Sequence, residues 1–208
     1  MNILFVCTGN ICRSVMAEFF MREGLAGVNQ EAGVRLSSAG LDAEEGIKPP
    51  SEIVDVMRDY HLDIAEHRAH RLNRGDVDEA DLILTMTLHN SQRLLTGYQE
   101  SVDRVYTLRE FVVEGEKKSR GLQETDPDMR LSKLRSRIRN VEGWQQSERS
   151  DNINDQLRLF FLHYFHVYDH ELSVDDPLGQ SREFMKNTAE EIRDLVNRVM
   201  GPDILALT

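Results

Sequence analysis

The sequence predicts a three-layer α/β sandwich in which helices cover both faces of a four-stranded parallel sheet. Short apolar runs alternate with segments of helical periodicity, and this alternation is typical of parallel sheets. A chain of 208 residues without internal repeats is expected to form a single domain, residues 1–208. The predicted strands are residues 2–6, 34–38, 82–86 and 104–107, and the predicted helices between them are 14–26, 50–61 and 88–97.

The first strand leads into the most informative segment of the chain. Its apolar residues 3–6 are followed by Cys7-Thr8-Gly9-Asn10-Ile11-Cys12-Arg13-Ser14, where the first helix begins. A loop between a strand end and a helix start directs several backbone N–H groups and the positive end of the helix dipole toward one point. We therefore expect a site for a tetrahedral oxyanion such as phosphate, bound by Thr8, Gly9, Asn10, Ile11, Cys12, Arg13 and Ser14.

Cys7, at the base of this loop, is the candidate nucleophile. Loop N–H groups, the helix terminus, Arg13 and the Ser14 hydroxyl would all stabilise its thiolate, which is the reactive form. The planar fork of Arg13 can hold two phosphoryl oxygens at once, whereas lysine offers a single point charge. The thiol and the loop supply the chemistry themselves, so neither a cofactor nor a metal is expected.

The segment VCTGNICRSVMAE, residues 6–18, resembles the signature of the low-molecular-weight protein tyrosine phosphatases. Similar motifs follow in the family's order and cover most of residues 1–114 and 175–200. Val15 stands where the family usually has proline, a residue that is merely preferred at a helix start. The resemblance implies the family's fold, a phosphocysteine intermediate and a phosphorylated protein as substrate. The further motifs are Ser37-Ser38-Ala39-Gly40, Glu66-His67-Arg68, residues 80–86 and Asp176-Pro177.

The resemblance also assigns a general acid, because the family uses the aspartate of a late Asp-Pro pair. Asp176 is favoured over Asp126, which also precedes a proline, because Gly179 and a clear helical pattern follow it. Asp126 is expected to form a turn. One face of the final helix is formed by Phe184, Thr188, Ile192, Leu195 and Val199.

Two further roles come from the same resemblance. Ser38 corresponds to a serine that supports the phosphate loop through the loop asparagine, here Asn10, together with Ser14. Cys12 corresponds to a cysteine that can form a protective disulfide with the nucleophile, here Cys7. The alternative for Cys12 is a buried and inert thiol.

Composition restricts the remaining function classes. The formal net charge of −11 argues against nucleic acid as a partner. Both cysteines lie in the loop, which fits a reducing cytoplasm. The apolar runs are too short for a signal peptide or a membrane span, so no membrane association is expected.

A helical insertion is predicted at about residues 115–174, where the resemblance is interrupted. We expect a helical cap beside the active-site entrance that steers phosphorylated partners or forms a homodimer; the alternative is an elaboration that only packs on the core. His163, His166 and His170 share one stripe, more typical of a polar face than of a metal site. The predicted helices have apolar faces at Leu131, Leu134, Ile138 and Val141, surrounded by Arg130, Lys133, Arg135, Arg137 and Arg139, and then at Ile153, Leu157, Phe160, Tyr164 and Tyr168.

Phosphotyrosine is the expected substrate, because Ile11 is apolar where related arginine phosphatases carry threonine. Phosphoarginine remains the alternative, because Leu178 follows Asp176-Pro177 where tyrosine-directed members usually carry aromatic residues. An arsenate reductase would need relay cysteines beyond Cys7 and Cys12. A non-catalytic binding module would have no need to retain the nucleophile, the arginine and the acid together.

Overall fold

The computed structural model describes residues 1–26, 33–139 and 169–208, and it confirms the three-layer α/β fold. All strands of the sheet are parallel, and their order is β2-β1-β3-β4. Each predicted strand agrees with an observed one to within two residues at either end. The observed strands are β1 (Asn2–Cys7), β2 (Arg35–Gly40), β3 (Leu82–Thr85) and β4 (Val105–Thr107).

The described part of the chain contains all the helices predicted for it and two that were not predicted, Arg74–Glu79 and Leu108–Lys118. A short helix, Asp169–Leu172, lies at the end of the predicted insertion. The predicted helix at 50–61 ends early, at Arg58. None of the described helices is long and apolar enough to cross a membrane. The helices are α1 (Arg13–Ala26), α2 (Ser51–Arg58), α3 (Arg74–Glu79), α4 (Leu88–Gly97), α5 (Leu108–Lys118), α6 (Pro127–Arg139), α7 (Asp169–Leu172) and α8 (Arg182–Met200).

Alternate side chains of the central strand β1 serve the two sides of the sheet. Ile3 and Phe5 are buried in the core formed with α1, α2, α5, α6 and α8, whereas Leu4 and Val6 are buried against α3 and α4. Burial on both faces explains why β1 is apolar from Ile3 to Cys7 rather than alternating. It also fixes β1 in the centre of the sheet, so that Cys7 and the loop after it lie at a rigid strand end.

The expectation of a cap beside the active-site entrance is wrong for α6. Its apolar stripe is confirmed, since Leu131, Leu134 and Ile138 are buried. However, Arg135 donates hydrogen bonds to the carbonyls of Asp81 and Asp103, which precede β3 and β4. Because the strands are parallel, α6 lies at the amino end of the sheet, opposite the end that carries Cys7.

Four basic side chains of α6 bind groups of the protein itself. Arg130 is buried and donates to the carbonyls of Ile204 (2.5 Å) and Pro202 (2.9 Å). Arg137 donates to the backbone carbonyls of Lys118, the last residue of α5, and of Arg120. Lys133 forms an ion pair with Glu124. These contacts hold the basic side chains against the body of the protein, at the end of the sheet remote from Cys7.

The remainder of the predicted insertion is described only at its end. Residues 140–168 lie outside the described residues, and with them Val141, the second apolar face, His163 and His166. His170 lies in α7 and is exposed. The predicted homodimer contact through this segment stays a prediction.

Candidate active site

The loop from Cys7 to Arg13 connects the end of β1 to the start of α1, as the sequence predicts. Cys7 is the last residue of β1 and is 2% exposed. The Asn10 N–H donates to Cys7 Sγ at 3.2 Å, and Ser14 Oγ lies 3.1 Å from the same sulfur. The Asn10 N–H thus offers the sulfur a hydrogen bond, and the Ser14 hydroxyl is placed to offer a second.

Asn10 holds the loop in shape. Its φ of 52° lies in the left-handed region, which asparagine tolerates better than most residues. Its buried amide donates to Ser14 Oγ (3.0 Å) and Ser38 Oγ (2.9 Å), and its Oδ1 accepts the His70 N–H (2.8 Å). The structure therefore brings together Asn10, Ser14 and Ser38, the residues expected to support the loop.

Gly40 allows the second strand to approach the loop closely. It pairs with Cys7 across the sheet. A Cβ at this position would lie 2.7 Å from the Thr8 carbonyl oxygen and 2.8 Å from the Asn10 nitrogen. These distances are shorter than real contacts, so any side chain at position 40 would displace the loop.

Two supporting residues were not assigned a role from the sequence. Glu18 is buried in α1 and accepts the Ser38 hydroxyl at 2.6 Å, which completes a chain of contacts to Asn10. His67 Nε2 lies 3.1 Å from the Asn10 carbonyl oxygen, and burial lowers the pKa of this imidazole. His67 lies in one of the motifs that carry the family resemblance, but its contact with Asn10 spans 57 residues and needs the fold to be seen.

Arg13, the first residue of α1, is 5% exposed and reaches the segment that carries the predicted acid. Its Nη1 donates to the Val174 carbonyl (3.1 Å), and its Nη2 donates to Asp176 Oδ2 (2.5 Å). Its buried Nε has no hydrogen-bond partner among the described residues. Nε and Nη2 form one edge of the guanidinium, and an edge of this kind can bind two oxygens of a phosphoryl group.

The two candidate acids lie at opposite ends of the sheet. Asp176 has a half-exposed carboxylate beside Arg13, and its Oδ1 also accepts the Leu178 N–H at 3.1 Å. Asp126 Oδ1 accepts the Met129 N–H at 2.9 Å in the first turn of α6, which lies at the amino end of the sheet. The geometry gives Asp126 a structural contact at the start of a helix and places only Asp176 at the loop.

Cys12 is a poor candidate for a second nucleophile. It is 4% exposed, and neither it nor Cys7 forms a disulfide in the structure. Burial, together with the nearby Cys7 and Asp176, raises the pKa of Cys12 to about 12 despite the opposing effect of Arg13. Cys12 is therefore a protonated thiol at neutral pH, and its redox role stays a prediction.

The exposed apolar side chains near the acid are aliphatic. Leu178, two residues beyond Asp176, is 50% exposed. Ile11, in the phosphate loop, is partly exposed. An aromatic substrate could pack on Leu178, but this side chain offers no ring to stack on.

Comparisons with known proteins agree with this geometry. The family model described as "Low molecular weight phosphotyrosine protein phosphatase" matches residues 2–142. The Ralstonia nicotianae protein named "Probable low molecular weight protein-tyrosine-phosphatase EpsP" is 39% identical over 110 residues, which span 53% of this chain and 72% of that protein. A protein-arginine-phosphatase of Geobacillus stearothermophilus is 34% identical over 53% of this chain and 71% of that protein.

A solved structure extends the similarity to the whole fold. The low molecular weight protein tyrosine phosphatase from T. tengcongensis matches with a TM-score of 0.64 at 29% identity. The match covers 96% of this chain and 97% of that chain.

Proposed function

Since the chain belongs to the low molecular weight phosphotyrosine protein phosphatase family and is thus a hydrolase, we propose that it hydrolyses phosphotyrosine in proteins through a phosphocysteine at Cys7. The contact that carries this proposal is the one between Arg13 and Asp176. It joins residues 163 positions apart and puts an anion-binding fork and a carboxyl group beside the loop that holds the thiol.

In the first step the loop N–H groups and the Nε–Nη2 edge of Arg13 bind the phosphoryl oxygens. The phosphoryl group takes the place of the Asp176 carboxylate on that edge. The freed carboxylate takes up a proton from solvent and turns to face the leaving oxygen. Cys7 Sγ attacks phosphorus in line, the bond from phosphorus to the tyrosine oxygen breaks, and Asp176 gives its proton to that oxygen. Arg13 stabilises the charge on the transferring group.

In the second step water hydrolyses the phosphocysteine. Asp176, now a carboxylate, takes a proton from the water as its oxygen attacks phosphorus. The bond from sulfur to phosphorus breaks, which regenerates the thiolate and releases inorganic phosphate. The contacts from Asn10 and Ser14 to the sulfur favour its departure, because they stabilise the anion.

Asp176→Asn is expected to lower kcat/KM for phosphotyrosine peptides by about 10²- to 10⁴-fold, because the tyrosine oxygen would leave without a proton. Steady-state kinetics on such a peptide measures this loss. Asp126→Asn is the matched control, since it removes a carboxylate next to a proline at the far end of the sheet. It should stay within about twofold of the wild type, as surface changes away from a site usually do. A large loss in Asp126→Asn with none in Asp176→Asn would mean that the acid is misassigned.

Phosphoarginine is the second candidate substrate. The protein-arginine-phosphatase among the relatives and the aliphatic Leu178 both favour it. Ile11 opposes it, because its side chain cannot hydrogen-bond a guanidinium.

Ile11→Thr tests the choice between these substrates. We expect the wild type to turn over a phosphotyrosine peptide faster than the phosphoarginine peptide of the same sequence. Threonine should shift the ratio of kcat/KM toward phosphoarginine by about fivefold, the worth of one new hydrogen bond. Ile11→Val, which adds no hydroxyl, is the control and should leave the ratio unchanged. Equal or faster turnover of phosphoarginine by the wild type would reverse the assignment.

A further inference from the structure

The segment that carries the acid is fastened to residues 86–90, which join the end of β3 to the first residues of α4 and are called the β3–α4 turn below. Val174 is fully buried, and its N–H donates to the Met86 carbonyl at 2.8 Å. Ser173 is 6% exposed, and its hydroxyl oxygen accepts the Leu88 N–H at 3.1 Å. Two consecutive residues before the acid loop are thus held by two points of one turn.

The Ser173 contact caps the start of α4. The first N–H groups of a helix have no partner within the helix and need oxygen atoms from elsewhere. Thr87, the residue before α4, accepts the Asn90 N–H with its side chain. Ser173 satisfies the Leu88 N–H from a position 85 residues further along the chain.

The same turn also contacts both neighbours of the nucleophile. The Met86 N–H donates to the Val6 carbonyl at 2.9 Å, on one side of Cys7. The Asn90 side chain donates to Thr8 Oγ1 at 3.3 Å, on the other side. The turn therefore contacts the chain next to the thiol and the chain next to the acid, and it sets the separation between the two.

We propose that Ser173 is a positioning residue that sets the place of the Asp176 carboxyl relative to the Cys7 sulfur, through its bond to the β3–α4 turn. This inference rests on the proposed function. Only Val174 and Asp175 separate Ser173 from Asp176, so loss of the anchor is passed to the acid within a few bonds. Displacements of about 1 Å can cost about 10²-fold in rate.

The consequence depends on the leaving group. Phenolate is a poor leaving group that needs the proton of Asp176, whereas nitrophenolate stabilises its own charge and needs it less. A displaced acid should therefore slow the hydrolysis of phenyl phosphate more than that of p-nitrophenyl phosphate. General loosening of the fold would slow both equally.

Ser173→Ala tests the inference through kcat/KM for both substrates, which reports the steps up to formation of the phosphocysteine. We expect a loss of about tenfold or more for phenyl phosphate and of less than about threefold for p-nitrophenyl phosphate. Inhibition by inorganic phosphate should change little, because the phosphate loop keeps its own contacts. Asp175→Asn, at the residue immediately before the acid, is the control and should keep the wild-type ratio between the substrates.

A matched pair guards against an alanine variant that does not fold. Ser173→Thr keeps the hydroxyl, and Ser173→Val introduces a side chain with nearly the shape of threonine but without the hydroxyl. We expect the ratio of kcat/KM for p-nitrophenyl phosphate to that for phenyl phosphate to be about tenfold higher in the valine variant than in the threonine variant. Equal ratios in the two variants, or equal losses on both substrates in Ser173→Ala, would overturn it. Absence of aryl phosphate hydrolysis in the wild type would instead refute the proposed function.

Discussion

Cys7→Ser is expected to lower the hydrolysis of aryl phosphates by at least about 10⁴-fold, because a serine hydroxyl stays protonated where a cysteine can form a thiolate. Serine is similar in size and can accept the Asn10 N–H that now reaches the sulfur. The change therefore removes the nucleophile and leaves the shape of the loop. Turnover of p-nitrophenyl phosphate measures the loss.

Two further measurements make this result specific to chemistry. The wild type, quenched rapidly during turnover of a phosphotyrosine peptide, should carry one phosphoryl group on Cys7 when its peptides are analysed by mass spectrometry. The serine variant should still bind inorganic phosphate and should unfold near the wild-type temperature. Activity of Cys7→Ser within tenfold of the wild type would exclude covalent catalysis by this residue.

Arg13→Lys is expected to lower kcat/KM by about 10²- to 10³-fold, the usual loss when a donor to transition-state charge is removed. Lysine would keep the positive charge, yet it cannot span two phosphoryl oxygens as a guanidinium does. It would also be unable to donate to Val174 and to a phosphoryl group with the geometry that Nη1 and the Nε–Nη2 edge provide. The loss should appear in kcat as well as in KM, because the contact strengthens as charge develops.

Arg198→Lys is the matched control for this substitution. Arg198 also uses two guanidinium nitrogens, which bind the Glu116 carboxylate at 2.8 and 2.9 Å between α8 and α5. It is partly exposed, so the exchange should change stability by less than about 1 kcal/mol and leave kcat/KM unchanged. If both variants lost activity equally, the effect at Arg13 would reflect folding rather than phosphate binding.

The elements that the sequence analysis identified are those whose signals extend over many residues. Runs of apolar residues predicted the strands, and a repeated apolar face predicted the helix at 182–200. The helix at 74–79 has only six residues, too few to show a period. The helix at 108–118 begins with a capping box between Thr107 and Glu110. That spacing is readable from sequence and could have been recognised.

The candidate site divides in the same way. Cys7, Arg13 and the loop between them are neighbours in sequence, so their pattern could be recognised directly. The contact of His67 with Asn10, and that of Ser173 with Leu88, join segments 57 and 85 residues apart. No pattern within a short stretch of sequence indicates such pairs. The position of α6 was predicted wrongly because its sequence does not show which backbone carbonyls of the folded chain its basic side chains will bind.

The arginines of α6 carry a consequence for any attempt to trim this protein to the length of its shorter relatives. Arg130 supplies the hydrogen bonds of two carbonyl oxygens near the end of the chain, and Leu134 is fully buried beside it. Excision of this helix would remove the donors of those oxygens and expose buried apolar side chains to water at the end of the sheet remote from Cys7. A shortened enzyme would keep every group that contacts the phosphoryl group. Its fold would be less stable, and we expect it to aggregate on warming.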